Sequence, residues 1–77
     1  MALHRAVVVA EVDGPGPALD LVEQLDLDGY HLFHAVRADL LRRTGRGDEA
    51  AAAYEAALAR TGNEAEQRFL REQLAGL

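Results

Sequence analysis

Glycine and proline divide this 77-residue chain into five short segments, with breaks at residues 13–17, 29, 45–47 and 62–63. Within the segments, apolar residues recur at intervals of three and four, which is the spacing of one face of an α-helix. No two segments show the alternation and glycine turn of a β-hairpin. The pattern therefore predicts an all-α fold, an antiparallel array of about five helices that forms one domain over residues 1–77.

The first segment carries signals for both a strand and a helix. Three consecutive valines at 7–9 favour a strand by propensity. The helical spacing is carried by Leu3, Ala6, Val7 and Ala10. We expect a helix over residues 3–12, followed by a second helix with Pro17 in its first turn and an end near Asp26. Residues 1–26 are thus predicted to form a degenerate helix pair.

Residues 29–61 are predicted to form a second, more regular helix pair. Asp28 is placed to cap the first helix of this pair, and Gly45 is placed to end it in a left-handed conformation. A fifth helix is expected over residues 63–77, where Asn63 and Glu66 have the spacing of a capping box. This last helix would close the array as a C-terminal capping helix.

The second pair has the residue order and spacing of a tetratricopeptide repeat. Small alanines would let its two helices approach closely, and Tyr54 and Leu58 would fill the groove toward the next helix. The predicted packing residues are Ala38, Gly45, Ala50, Tyr54, Ala57 and Leu58. Repeat arrays of this kind commonly bind peptides or helices on a concave face. The residues predicted for that face are Tyr30, His34, Arg37 and Leu41.

A second resemblance extends over nearly the whole chain. Its residues lie at 3–7, 10–15, 29–32, 37–43 and 63–70. These stretches resemble the C-terminal extension of a group of extracytoplasmic-function (ECF) RNA polymerase sigma factors, which are bacterial and cytoplasmic. The resemblance implies a tetratricopeptide-like module that regulates transcription initiation through protein–protein interaction.

The partners implied are the core regions of a sigma factor, RNA polymerase, or both. The regions of such factors that bind promoter DNA have no counterpart in these 77 residues, so direct binding of nucleic acid is not expected. The alternative is a stand-alone adaptor protein that uses the same scaffold to bind a peptide or helix of another protein.

Charge and composition argue against several other functions. The net charge is −5, whereas nonspecific binding of DNA or RNA needs a basic surface. Only a cluster of Arg37, Arg42, Arg43 and Arg46 offers one, and we interpret it as a solvated helix end. The chain has no Cys and no Ser, which excludes disulfides, thiolate zinc sites and the commonest nucleophiles. We expect neither an enzyme nor a bound cofactor.

His31 and His34 lie three residues apart on a predicted helix, so both side chains could face one metal ion. A site would need a further ligand such as His4 or Asp39, and no zinc signature is present. We therefore predict that the two histidines pack between helices. No run approaches the ~20 apolar residues of a membrane span. The apolar N-terminal helix would instead allow weak self-association.

Overall fold

Five α-helices follow one another along the chain: α1 (Ala2–Asp13), α2 (Pro15–Glu23), α3 (His31–Arg43), α4 (Gly47–Arg60) and α5 (Glu64–Ala75). The structure is a computed structural model that describes the backbone of residues 2–77 and the side chains of residues 3–77. No strand occurs in that part of the chain. The predicted all-α array of five helices is confirmed, including a helix in place of a strand at the three valines.

Gly14 alone joins α1 to α2, with a φ of 94° that favours glycine. Pro15 is the first residue of α2 and Pro17 lies in its first turn, as predicted, but the break is one residue long instead of five. Helix α2 ends at Glu23, before the predicted Asp26. Val7 was expected to be buried with Leu3, yet it is 41% exposed, because α1 packs mainly on α2 and buries only a narrow stripe.

The segment that joins the two helix pairs, residues 24–30, is held by side chains from both helices of the second pair. The carbonyl oxygen of Asp28 accepts hydrogen bonds from His34 Nε2 at 2.6 Å and from Arg60 Nε at 2.7 Å. The prediction that Asp28 caps α3 is wrong. The N-cap is Tyr30, because the Tyr30 N–H closes a turn onto the Leu27 carbonyl at 2.9 Å and delays the start of the helix.

The turn between α3 and α4 confirms the role predicted for Gly45, whose φ is 79°. The Arg46 N–H donates to the Leu41 carbonyl at 2.9 Å, and the Gly45 N–H donates to the Arg42 carbonyl at 3.1 Å. This pair of bonds is the Schellman motif, which satisfies carbonyls left free at a helix end. The close pairing of α3 with α4 follows directly from this tight turn.

Half of the predicted capping box forms at the start of α5. Asn63 Oδ1 accepts a hydrogen bond from the Glu66 N–H at 2.8 Å. The return bond is absent from the described structure, because the Asn63 N–H donates to Thr61 Oγ1 and the Glu66 carboxylate turns toward His31. The single bond is sufficient to fix where α5 begins.

Each helix packs on the next one in sequence, and α1 also touches α3. The core runs through both pairs and is rich in alanine, which allows close approach of the backbones. Its fully buried members in the second pair include Ala38, Ala50, Tyr54 and Ala57, while Leu58 is partly buried. The longest helix described, α4, has 14 residues, and none of the helices over residues 2–77 meets the length and apolarity needed to cross a membrane.

Candidate interaction groove

The four residues predicted for a partner-binding face do not form one exposed surface. Leu41 is fully buried and His34 is 9% exposed, so neither is accessible to a partner in this arrangement. Leu41 follows Ala38 by three residues and therefore faces the core with it. Tyr30 and Arg37 are partly exposed, and Arg37 pairs with Glu23 of α2. A role in binding stays a prediction for these two residues.

The accessible apolar surface lies instead along α1, α3 and α5, which are alternate helices of the array. Two adjoining pockets of about 270 Å³ and 220 Å³ share Val7 and Val36. We call this continuous depression the interaction groove. Its apolar lining consists of Leu3, Val7, Ala10, Tyr30, Leu32, Ala35, Val36, Leu40 and Phe69.

Three large side chains of the groove are unusually accessible: Val7 is 41% exposed, Leu32 is 39% exposed and Phe69 is 54% exposed. Helical spacing predicts that Val7 faces the core with Leu3, so none of the three side chains could be singled out as a functional candidate on that basis. One signal could have identified the groove. Alternate helices of a tetratricopeptide array line its concave face. Val7, Leu32 and Phe69 lie on such alternate helices, and each is next in sequence to a buried residue.

Charged residues occur at one edge of the groove. Asp39 Oδ1 accepts a hydrogen bond from Arg42 at 2.6 Å, and Asp39 Oδ2 lies 3.6 Å from Arg43. The hydrogen bond to Asp39 is the main cause that raises the pKa of Arg42 above its usual value. Glu11 of α1 borders the same pocket and is exposed. The lining of the groove is therefore mostly apolar, with Glu11, Asp39 and Arg43 as its charged members.

The arginine cluster is paired with carboxylates within the chain. Arg37 contacts Glu23, Arg46 contacts Glu49, and Arg42 and Arg43 share Asp39. The Arg46 guanidinium binds Glu49 through two hydrogen bonds, which hold the pKa of the Glu49 carboxyl below its usual value. These four arginines consequently do not present a free basic surface of the kind that phosphate backbones attract.

The two histidines of α3 have separate structural partners. His31 Nε2 lies 3.3 Å from Glu66 Oε2 and links α3 to α5, while His34 binds the Asp28 carbonyl. The His34 ring also meets the Phe33 ring edge-to-face, with 5.0 Å between centroids. Over residues 2–77, no group of three or more His, Asp or Glu side chains is arranged to hold a metal ion.

The outer surface of α5 also carries a shallow hollow, but a single helix lines it. Its residues are mostly of polar type and follow one helical stripe: Glu64, Gln67, Arg68, Arg71, Glu72 and Ala75. We call this surface the α5 outer stripe. Because a single helix lines it, it lacks the converging walls of a binding site.

No known protein family and no solved structure matches this chain. The chain is similar to an uncharacterized protein of Rhizobium meliloti (strain 1021), with 41% identity over 76 residues. The match covers 96% of this chain and 18% of that protein. The chain thus spans about a fifth of the length of the curated relative that it matches.

Proposed function

We propose that this chain is a protein-interaction module that holds an apolar segment of a partner in the interaction groove. The observation that supports it best is the meeting of Val7, Val36 and Phe69, from three different helices, around one accessible apolar depression. Exposed apolar surface that is continuous and bordered by polar residues is typical of protein-binding sites. The groove lining favours binding over catalysis, because it is mostly apolar.

The shape of the groove suits a helix with apolar side chains on one face. Such a helix anchors itself through residues at i, i+3 or i+4, and i+7, and each anchor needs a small pocket. Here the two pockets lie side by side and share Val7 and Val36 as the ridge between them. One anchoring side chain of the partner helix in each pocket would bury Val7, Leu32 and Phe69, the three exposed side chains of the groove.

For the partner, we propose the core regions of an ECF sigma factor, RNA polymerase, or both, which makes the chain a cytoplasmic, bacterial regulator of transcription initiation. Support comes from the resemblance over residues 3–7, 10–15, 29–32, 37–43 and 63–70. The relative is also several times longer than the match, so a similar stretch occurs there within a larger protein. A small contact module in such a protein would act on the regions around it.

The proposal has two parts: the groove is the binding site, and a transcription protein is the partner. Both parts are tested by measuring the binding of the chain to purified core RNA polymerase and, separately, to purified promoter-binding regions of an ECF sigma factor. Val7→Glu and Phe69→Glu each place a charge in the groove, and we expect each to weaken binding at least tenfold. The matched control is Ala52→Glu, at an exposed position of α4 that does not border the groove. It should bind as the unmodified chain does.

The outcomes separate the alternatives. Binding that neither groove substitution weakens would refute the groove as the site. The absence of binding to both probes would refute the transcription partner and favour the adaptor function, in which the same groove binds another protein. Circular dichroism of each variant shows whether the helices are retained, so that loss of binding is not confused with unfolding.

A further inference from the structure

The two pockets of the interaction groove differ in charge. The pocket of about 220 Å³ is lined by apolar side chains, a tyrosine and a histidine. The pocket of about 270 Å³ is also lined by Glu11 of α1 and by Asp39 and Arg43 of α3. These three charged residues come from two different helices, so they border this pocket from two sides. The groove therefore has one charged end.

The two carboxylates at the charged end have different surroundings. Asp39 is paired with Arg42 at 2.6 Å and with Arg43 at 3.6 Å. Glu11 is exposed, and it forms no ion pair within residues 3–77. It follows Val7 by four residues, so it lies on the same side of α1 as the ridge between the pockets. The charged end thus carries one carboxylate without a counter-ion.

Glu11 also lies where a helix disfavours negative charge. The last turn of a helix carries a partial negative charge from its free carbonyls and is stabilised by cations. Helix α3 has Arg42 and Arg43 there, whereas α1 has no basic residue in its last turn. Asp13, on another side of α1, adds further negative charge to that turn. A cation brought to this end of the groove would be attracted by both Glu11 and the helix dipole.

We propose that the helix bound in the groove is basic, with an Arg or Lys beside the residue that it anchors in the charged pocket. This inference rests on the proposed function, because it specifies the chemistry of the same occupant. The cation pairs with Glu11, while Asp39 keeps its own arginines. The net charge of −5 also favours encounters with basic segments over acidic ones.

Two synthetic peptides of about 15 residues test the inference. Both have Leu at positions i, i+3 and i+7 as anchors. They differ only at the positions that flank the anchors, which are Arg in the basic peptide and Glu in the acidic peptide. Fluorescence anisotropy at low salt measures the affinity of each peptide for the full chain. We expect the basic peptide to bind at least about fivefold more tightly.

The substitution Glu11→Arg should weaken binding of the basic peptide by about fivefold and strengthen binding of the acidic one. Glu55→Arg is the matched control, because it makes the same charge change at an exposed position of α4 that does not border the groove. The control should keep the preference for the basic peptide. Glu11→Arg places a cation in the last turn of α1, so the helix should remain folded, as circular dichroism can verify.

Phe69→Ala separates failure of this inference from failure of the groove as a site, because it removes apolar surface without a change of charge. It should weaken binding of both peptides about fivefold. If it does so while the two peptides bind equally well to the unmodified chain, the groove is a binding site and the basic partner is refuted. If it changes neither affinity, the groove itself is refuted as the site. A basic peptide that does not bind at about 1 mM would also overturn the inference, whereas the groove is tested separately with the transcription proteins.

Discussion

At the scale of single residues, the carbonyl oxygen of Asp28 connects distant parts of the chain. It accepts hydrogen bonds from His34 of α3 and Arg60 of α4, although Arg60 is 32 residues away in sequence. These two side chains therefore stabilise a segment that has no helix of its own. Residues 24–30 are thus held to the second helix pair.

Replacement of His34 by Ala should lower the free energy of unfolding by about 1–3 kcal/mol, because a buried hydrogen bond and buried ring contacts are lost together. Urea unfolding followed by circular dichroism measures the change. His4→Ala is the control, because His4 is exposed and should shift the free energy by less than about 0.5 kcal/mol. Equal effects of the two substitutions would show that the Asp28 carbonyl does not depend on His34.

The sequence predicted the general role of the two histidines but not their partners. Spacing alone indicates that His31 and His34 share a side of α3. It does not indicate that one contacts Glu66 of α5 and the other the Asp28 carbonyl, because both partners lie outside α3 and are positioned by packing. The sequence likewise suggested that the Asp28 side chain caps α3. In the structure it is the Asp28 backbone carbonyl that makes contacts, with His34 and Arg60, and these contacts also depend on packing.

At the scale of helices and turns, Gly45 is required because its φ of 79° lies in a region that other residues rarely adopt. Gly45→Ala should destabilise the fold by about 1 kcal/mol through backbone strain at the Schellman motif. Gly47→Ala is a matched control in the same turn, since Gly47 is the first residue of α4 and Ala favours helices. Thermal unfolding should show a lower midpoint for the first variant and an equal or higher midpoint for the second.

Helix periodicity was sufficient to predict five helices, but it was less reliable at their ends. Leu25 and Leu27 continue the apolar pattern beyond α2, and both are partly buried, yet neither lies in a helix. Their burial depends on packing against the core. The periodicity of a single segment gives no information on such packing. The ends that the sequence placed well, at Gly45 and Asn63, are those where a local residue sets the backbone conformation.

At the scale of the whole molecule, the interaction groove could not be predicted from any one helix. It consists of surface on α1, α3 and α5 that remains uncovered once every helix has packed on its neighbours. The sequence indicates which residues are apolar, but exposure of Val7 and Phe69 follows from the arrangement of the array. The predicted face failed at Leu41 for the same reason, since α3 uses that side for the core.

Stability of the whole chain should fall in alkaline solution because of Tyr54, which is 1% exposed. Burial is the main cause that raises the pKa of the Tyr54 hydroxyl above its usual value near 10. The folded chain therefore keeps a proton that the unfolded chain releases, so the free energy of unfolding decreases as the pH rises from about 10 through the pKa of the folded state.

Urea unfolding at a series of pH values between about 9 and 12 measures this decline. In Tyr54→Phe the part of the decline due to Tyr54 should disappear. Tyr30→Phe keeps Tyr54 and should show the decline of the unmodified chain. An identical pH dependence in Tyr54→Phe and the unmodified chain would contradict the assignment to Tyr54.

The polar α5 outer stripe also gives the array a direction for growth by tandem duplication. A helix pair added beside α1 would meet exposed valines and gain apolar burial at once, whereas one added beside α5 would meet a surface rich in Glu, Arg and Gln. Duplicated repeats are consequently easier to retain on the α1 side.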